Sequence, residues 1–339
     1  MPTIKDVAQR AGVTVTTVSR VINNRGYISE KTRNNVIEAM DALGYRPNAI
    51  ALSLFRRCSM LMGIIIPTIA HPYYAMLTQH IEAYAYEKGY HILICNSQLE
   101  AGKEKDFVDL LRRSQMDGLI LASHTLSVDE FLLARPFPVV CLDRKIAPDL
   151  PFVAPDNYQG AILATQHLID NHCKKLLHVA GSAGLNMLSD LRSQGFVDTC
   201  KKHGVEHMVI AAPGEESLLT GDYTDFLTDI LSKHPDIDGI FASSDMIAFN
   251  AVMLAKRLGI RIPEDLQIVG YDDISLATRS TPSITTIRQP LKNIAHILVD
   301  TLLAQVNNTP FECQNILPVT LIERETTRAG GLALSKEWK

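Results

Sequence analysis

No run of apolar residues in this chain reaches the roughly 18 that a membrane span requires, and the first residues lack a charged-then-apolar-then-small export pattern. The chain is expected to stay in the cytoplasm, with no membrane partner. Cysteine is sparse and scattered: the six, at 58, 95, 141, 173, 200 and 313, include no C-x-x-C pair, which argues against zinc or redox chemistry and for reduced, buried, small side chains. The eleven histidines include no H-E-x-x-H or comparable spacing, so no metal site is expected. A nucleophile elbow, a dinucleotide fingerprint and a paired acid and base are missing too, and GSAG at 181–184 lacks the Lys-Ser/Thr ending of a nucleotide loop. Neither an enzyme nor a cofactor is expected. The single Trp338 falls in a polar tail.

What remains is an ordinary globular composition, 46% hydrophobic and 21% charged over 339 residues, enough for two or three domains. The most informative stretch is IKDVAQRAGVTVTTVSRVIN, residues 4–23. Ile4, Val7, Ala8 and Ala11 share one helical face, Gly12 breaks the pattern, and Val15, Val18, Val21 and Ile22 resume it. Thr3 with Asp6, and Thr14 with Thr17, place a side-chain acceptor before each helix, where backbone N–H groups need one. The outer face of the second helix carries Thr16, Thr17, Ser19 and Arg20, a set that can enter a major groove without a clash. By pattern alone a plain αα-hairpin would serve as well as a helix-turn-helix. The neighbours decide for the latter. A third helix is predicted from Ser29 to about Leu43, with Val36, Ile37, Met40 and Leu43 inward and Gly44 at its end. Through residue 58 nine Lys and Arg face four acids, a head of +5 on a remainder of −9. That asymmetry is expected when only the head meets polyphosphate.

From about residue 60 short apolar runs alternate with amphipathic segments. The strands are MGIIIP (62–67), HILICNS (91–97), GLILAS (118–123), PVVCLD (138–143), LLHVAG (176–181), HMVIAA (207–212), GIFASS (239–244) and LQIVGYDD (266–273). Such alternation predicts an α/β fold with parallel sheets, and near-uniform apolarity predicts strands buried on both faces. The turn around 155–160 divides the run into two lobes of four strands. In open parallel sheets ligands bind beyond the carboxyl ends of the strands. The polar groups there are His71, Tyr73 and Tyr74; Ser123 and His124; Asp143 and Arg144; Asp190 and Arg192; Ser243, Ser244 and Asp245; and Asp272 and Asp273. Carboxylates, an Arg, hydroxyls and aromatic rings suit a polyhydroxylated ligand. Tyr73 and Tyr74 could instead only pack at the start of a helix, and Asp272 could only shape its turn.

Taken in order, TIKDVAQRAGVTVTTVSRVIN, GYISEKTRNNVIEAMDALGYRPNAIALSL, DGLILAS, PVVCLDR, PEDLQIVGYDDI and TPSITTIRQP resemble the lactose/galactose repressor (LacI/GalR) family of transcription regulators. Within it the chain is most similar to the sucrose and ribose repressors of Gram-positive bacteria, through ICNSQ, LDRKIAP and ILPVTLIERETT. The resemblance implies a helix-turn-helix head at 1–45, a hinge at 46–59, and a periplasmic-binding-protein-like body at 60–330 whose chain crosses three times between its lobes. One lobe would take 60–159 and 290–318, the other 160–289 and 319–330, leaving 331–339 as a tail. It implies Val15, Thr16 and Arg20 against base edges, Asn23, Tyr27 and Arg33 near the DNA backbone, and a hinge RPNAIALSLF in which Asn48, Ile50 and Ala51 accompany Leu54, the apolar wedge in the minor groove. Leu52 departs from the Arg common there. Effector contacts carried over are Tyr73, Tyr74, Asp143, Arg192, Asp272 and Gln289; Ser244 stands where many members have Asn. The implied function is a repressor binding palindromic double-stranded operator DNA as a homodimer and released by a small carbohydrate effector: sucrose, fructose, ribose or a phosphate of these. A global regulator using a phosphoprotein corepressor, or a sugar-binding or sugar-acting enzyme, are the alternatives. The short tail after Arg328 leaves no room for a tetramer-forming heptad run.

Overall fold

The computed structural model describes residues 2–23, 25–46, 58–123, 137–181 and 187–328. The hinge expectations at Asn48, Ile50, Ala51, Leu52 and Leu54, together with His124, most of the GSAG turn and the tail, lie outside the described residues. Two compact units result, residues 1–60 with 115–117, and the remainder.

In the first unit, α1 (Ile4–Ala11), α2 (Val15–Ile22) and α3 (Glu30–Leu43) surround a core of Val7, Ala8, Val18, Val21, Val36 and Ala39. The caps predicted from sequence form. The Asp6 carboxylate accepts from the Thr3 N–H at 2.7 Å and its hydroxyl at 2.8 Å, while Thr14 Oγ1 accepts from the Thr17 N–H at 3.2 Å. Gly12 ends α1 at φ 68°, a left-handed turn that a Cβ would disfavour and that sends α2 off in a new direction. Ile37 corrects the expected inward face: it is 45% exposed, because Val36, Ala39, Met40 and Leu43 fall on one side at helical spacing and Ile37 is turned about 100° from them. Val15, at the first position of α2, is likewise 40% exposed.

The second unit runs β1 (Leu61–Ile66), α4 (Pro72–Glu87), β2 (His91–Asn96), α5 (Ala101–Arg113), β3 (Gly118–Leu121), β4 (Val139–Leu142), β5 (Phe152–Pro155), α6 (Asn157–Asp170), β6 (Lys175–Ala180), α7 (Leu191–His203) and β7 (Glu206–Ala211). It continues with α8 (Glu215–Thr220), α9 (Thr224–Lys233), β8 (Gly239–Ala242), α10 (Asp245–Leu258), β9 (Gln267–Asp272), α11 (Ser275–Arg279), β10 (Thr285–Arg288), α12 (Leu291–Val306), β11 (Gln314–Leu317) and β12 (Thr320–Ile322). The strands form two six-stranded sheets, β11-β5-β4-β3-β1-β2 and β12-β10-β9-β8-β6-β7. Every pairing is parallel except β10 with β12, where Ile287 lies opposite Leu321. The chain leaves the first sheet after β5, returns after β10, where α12 packs on α4, β3, β4 and β5, and crosses again between β11 and β12.

All eight strands predicted from apolar runs are present, and β5, β10, β11 and β12 are additional. Uniform burial does not extend to the sheet edges: β2 exposes Leu93 and Ile94, and β7 exposes Val209, since each outermost strand has a neighbour on one side only. Cys95, Cys141, Cys173 and Cys200 are buried as expected, but Cys58 and Cys313 are half-buried, and all six are free thiols. No helix of the described residues is long and apolar enough to cross a membrane.

One backbone approach fixes the second sheet beneath the site. On β9, Gly270 faces the fully buried Asp245, and a Cβ there would drive into Asp245 Oδ1. Gly270→Ala should therefore destabilise the chain by about 1–3 kcal/mol in urea unfolding. Gly102→Ala, in the exposed first turn of α5 with open space around it, should change stability little or raise it slightly. Equal effects of the two substitutions would show that the Gly270 approach is not tight.

Candidate functional site

The carboxyl ends of both sheets open on a cavity of about 160 Å³. The loop after β1 and the first turn of α4 supply His71, Tyr73 and Tyr74, and the loop after β4 supplies Asp143; Asp190 and Arg192 at the start of α7, Ser244 after β8 and Asp272 at the end of β9 come from the second sheet. Gln289 lies on the crossing between β10 and α12. With Ser243, ten of the fifteen polar groups named from the sequence thus line one space, while Arg144, Asp245 and Asp273 do not and His124 lies outside the described residues. Ser123 does not line it either: it is fully buried, with no hydrogen-bond partner for its hydroxyl among the described residues.

Arg192 organises the polar side. Its Nε donates to Asn157 Oδ1 at 2.8 Å and its Nη1 to the Ser243 carbonyl at 2.6 Å, while its guanidinium carbon sits 3.6 Å from the centre of the Tyr271 ring. Burial opposes the charge, yet Tyr271, Asp272 and Asp143 around it outweigh that and hold the guanidinium pKa above its ordinary value. Asn157 Nδ2 in turn donates to Asp143 Oδ1 at 2.7 Å, so one amide joins a carboxylate following the first sheet to a cation of the second. A parallel chain runs from the Tyr73 hydroxyl, which donates to Gln289 Oε1 at 3.3 Å, through Gln289 Nε2 to Asp272 Oδ1 at 2.6 Å.

Burial dominates the electrostatics. It lifts Asp143 to about 6 against the opposing pull of Arg192 and Asn157, and raises Asp272 well above the carboxylate range against Arg192 and Gln289. Asp190 is raised by desolvation as well. Behind Asp272, Asp245 accepts from the Thr286 hydroxyl at 2.5 Å and the Ile274 N–H at 2.8 Å, and burial first, then Asp272, raises its pKa. His71 is pushed down to about 4 by burial and is neutral near pH 7. Its Nδ1 accepts from the Tyr73 N–H at 3.3 Å, capping α4. Asp143 (φ 52°) and Asp272 (φ 110°) both lie in the left-handed half of the backbone map, the second in a region non-glycine residues rarely visit. Strain of that kind turns a carboxylate inward where an extended strand would turn it away.

Tyr73 and Tyr74 begin α4 and are buried, and both also border the cavity, their rings edge-on at 5.1 Å. Asp273 points elsewhere, to Arg288 at 2.6 Å and Arg324 at 2.5 Å. Sequence reasoning missed Asn157, Tyr271 and Tyr223. Asn157 follows the four-residue strand β5, whose FVAP is too short to stand out; Tyr271 sits inside a strand and bears on the site only through Arg192.

In the first unit, Val15, Thr16 and Arg20 are exposed together on α2, and Tyr27 is 98% exposed. Thr3 and Thr14 serve as caps, and the Thr17 hydroxyl is 2.9 Å from that of Thr14. Ser19 and Asn23 are half-buried and joined, Asn23 Nδ2 donating to the Ser19 carbonyl at 2.8 Å; Arg33 is half-buried on α3. The exposed set fits a groove, while the capping set fixes the angle at which it is presented.

The raised Asp143 pKa has a definite sign. A carboxyl that holds its proton more tightly when folded contributes stability in full below its unfolded pKa and loses it as pH rises through its folded pKa. Asp143→Asn keeps the acceptor for Asn157 and tolerates the left-handed backbone. Relative to the parent, the variant should gain about 1–2 kcal/mol between pH 4 and pH 7 in urea unfolding. A difference independent of pH over that window would contradict the assignment.

A family model of bacterial regulatory proteins, lacI family, matches residues 3–48, and one of a periplasmic binding protein-like domain matches residues 165–327. The sucrose operon repressor of Streptococcus mutans is 38% identical over 95% of this chain and 98% of its own length. The ribose operon repressor of Halalkalibacterium halodurans is 36% identical over 97% and 98%. Among solved structures, the lac repressor dimer bound to operator and the anti-inducer ONPF superposes with a TM-score of 0.85 at 25% identity, covering 97% of this chain and 99% of that one. With its helix-turn-helix unit and its paired parallel sheets, the chain belongs to the LacI family of bacterial regulatory proteins.

Proposed function

We propose that the chain represses a carbohydrate-utilisation operon, reading a palindromic operator as a dimer and releasing it when a small sugar enters the cavity. The observation that carries this reading is the cavity itself. Acceptors at Asp143 and Asp272, the guanidinium of Arg192 and the rings of Tyr73, Tyr74 and Tyr223 match a ring whose hydroxyls both donate and accept and whose C–H faces are apolar. Relatives named as sucrose and ribose operon repressors over nearly the full chain support the same class. In this reading residues 1–45 are the DNA-binding head, 46–59 a hinge, and the body pairs two subunits to match the twofold symmetry of the operator. Val15, Thr16 and Arg20 read base edges, Asn23, Tyr27 and Arg33 position the backbone, and Leu54 is the wedge at the centre. Sugar and operator favour different states of the dimer, so operator must weaken sugar binding by the factor by which sugar weakens operator binding.

The test is to select bound duplexes from random DNA with purified protein, then to follow the selected site by fluorescence anisotropy during sugar titration. A palindrome released by one sugar is the expected result; a palindrome that no sugar displaces would defeat the effector half of the proposal. Within that site, Arg20→Ala should flatten the preference at one guanine by about 1–3 kcal/mol, the value of a bidentate arginine pair. Uniform weakening across all operator variants would reassign Arg20 to phosphate.

A further inference from the structure

We infer that the cavity admits an uncharged polyhydroxylated ring and rejects the phosphate ester of the same sugar. The inference rests on the sugar-binding reading above and narrows its ligand class.

Charge is the first argument. Among the described residues lining the cavity, the carboxyl groups of Asp143, Asp190 and Asp272 face a single guanidinium, Arg192, and no lysine. The lining histidine, His71, is held neutral by burial, so it adds no positive charge near pH 7. A phosphate monoester brings a charge of about −1.5 to −2 at that pH and would meet carboxyl groups of which Asp143, lifted only to about 6, is largely ionised, so a second anion would also raise the cost of that charge in a largely desolvated space.

The second argument concerns the one cation. Arg192 already spends Nε on Asn157 and Nη1 on the Ser243 carbonyl, and its flat face lies on Tyr271. One donor nitrogen of each forked edge that phosphate recognition uses is thus already bonded to the protein. What it leaves for a ligand suits one or two hydroxyls.

Helix ends supply the third. Backbone N–H groups at a helix start are the usual alternative to a cation for holding phosphate. Of the helices that begin at the cavity, two are capped from within: the Tyr73 N–H donates to His71 Nδ1, and the Ile247 N–H to Ser244 Oγ. At a third, α7, the capping position is held by Asp190, whose carboxyl group lines the cavity where an anion would approach that helix end. A hydroxyl needs none of these groups and can donate to the same carboxylates that repel phosphate.

Calorimetric titration of the full-length protein distinguishes the cases. The probes are fructose, sucrose and ribose beside fructose 1-phosphate, fructose 6-phosphate, sucrose 6-phosphate and ribose 5-phosphate. One uncharged sugar should bind, with its phosphate esters weaker by about 100-fold or more, since like charges across a desolvated contact cost several kcal/mol. An ester binding as tightly as its parent, or more tightly, overturns the inference and leaves the sugar-binding reading standing. If neither class binds while operator binding is intact, the sugar-binding reading falls and the inference with it. Asp190→Asn, which removes a lining carboxylate near the cavity rim, should narrow the gap between sugar and ester by about tenfold. A gap unchanged in that variant would overturn the role given to its charge.

Discussion

A buried guanidinium with no solvent to stabilise it must be surrounded by groups that do, and Arg192 imposes that requirement on both sheets. Its hydrogen bonds and ring contact recruit Asn157 from the start of α6, the Ser243 carbonyl after β8 and Tyr271 from β9. Through Asn157 it reaches Asp143, which follows β4 in the other sheet. Removing such a charge from its partners would cost several kcal/mol, so the geometry of the polar wall is set before any ligand arrives. Preorganisation of that kind reduces the ordering that binding must otherwise accomplish.

The carboxylates around it form a graded series. Asp143 and Asp272 see Arg192 directly, and their pKa values rise through burial but are restrained by it. Asp245 lies one layer behind, bonded to Thr286 and Ile274 and pressed against Gly270, and its pKa is raised by Asp272 as well as by burial. Burial and Asp272 thus favour the proton on the rear carboxyl, and Arg192 favours charge on the front pair, where a hydroxyl can exchange hydrogen bonds with them. The rear layer holds α10 and β9 in register, so the ligand-facing carboxylate is aimed by a residue that does not touch the cavity.

Much of this was legible in the sequence because the signals were periodic or punctuated. Gly12 between two short amphipathic runs, with threonines at each start, marked α1 and α2, and apolar runs marked eight of the twelve strands. What escaped was short or tertiary. Strands β10, β11 and β12 carry polar residues (TTIR, QNIL, TLI) and β5 is cut short by Pro155, so none reads as an extended apolar run, yet they make the crossings between the sheets and place Asn157 and Gln289. Ile37 was misplaced because a β-branched apolar residue reads as core wherever it falls, whereas Ala39, small and unremarkable in sequence, occupies the seat that helical geometry provides. Ser123 stood at a strand end like the true lining residues and still missed the cavity, since position along a strand does not say which way its loop turns.

Charge also divides the labour between the units. The head carries +5, and the exposed α2 groups Val15, Thr16 and Arg20 set one long cation among small side chains, a face suited to polyphosphate. The remainder carries −9, and its cavity is lined by more carboxylates than cations. A net negative body disfavours approach to a phosphate backbone within the screening length. The same sign, carried into the cavity, is what favours a neutral ligand over an anionic one. A single electrostatic bias can thus serve two ends: it confines nucleic acid to the head and keeps phosphorylated metabolites out of the site that controls it.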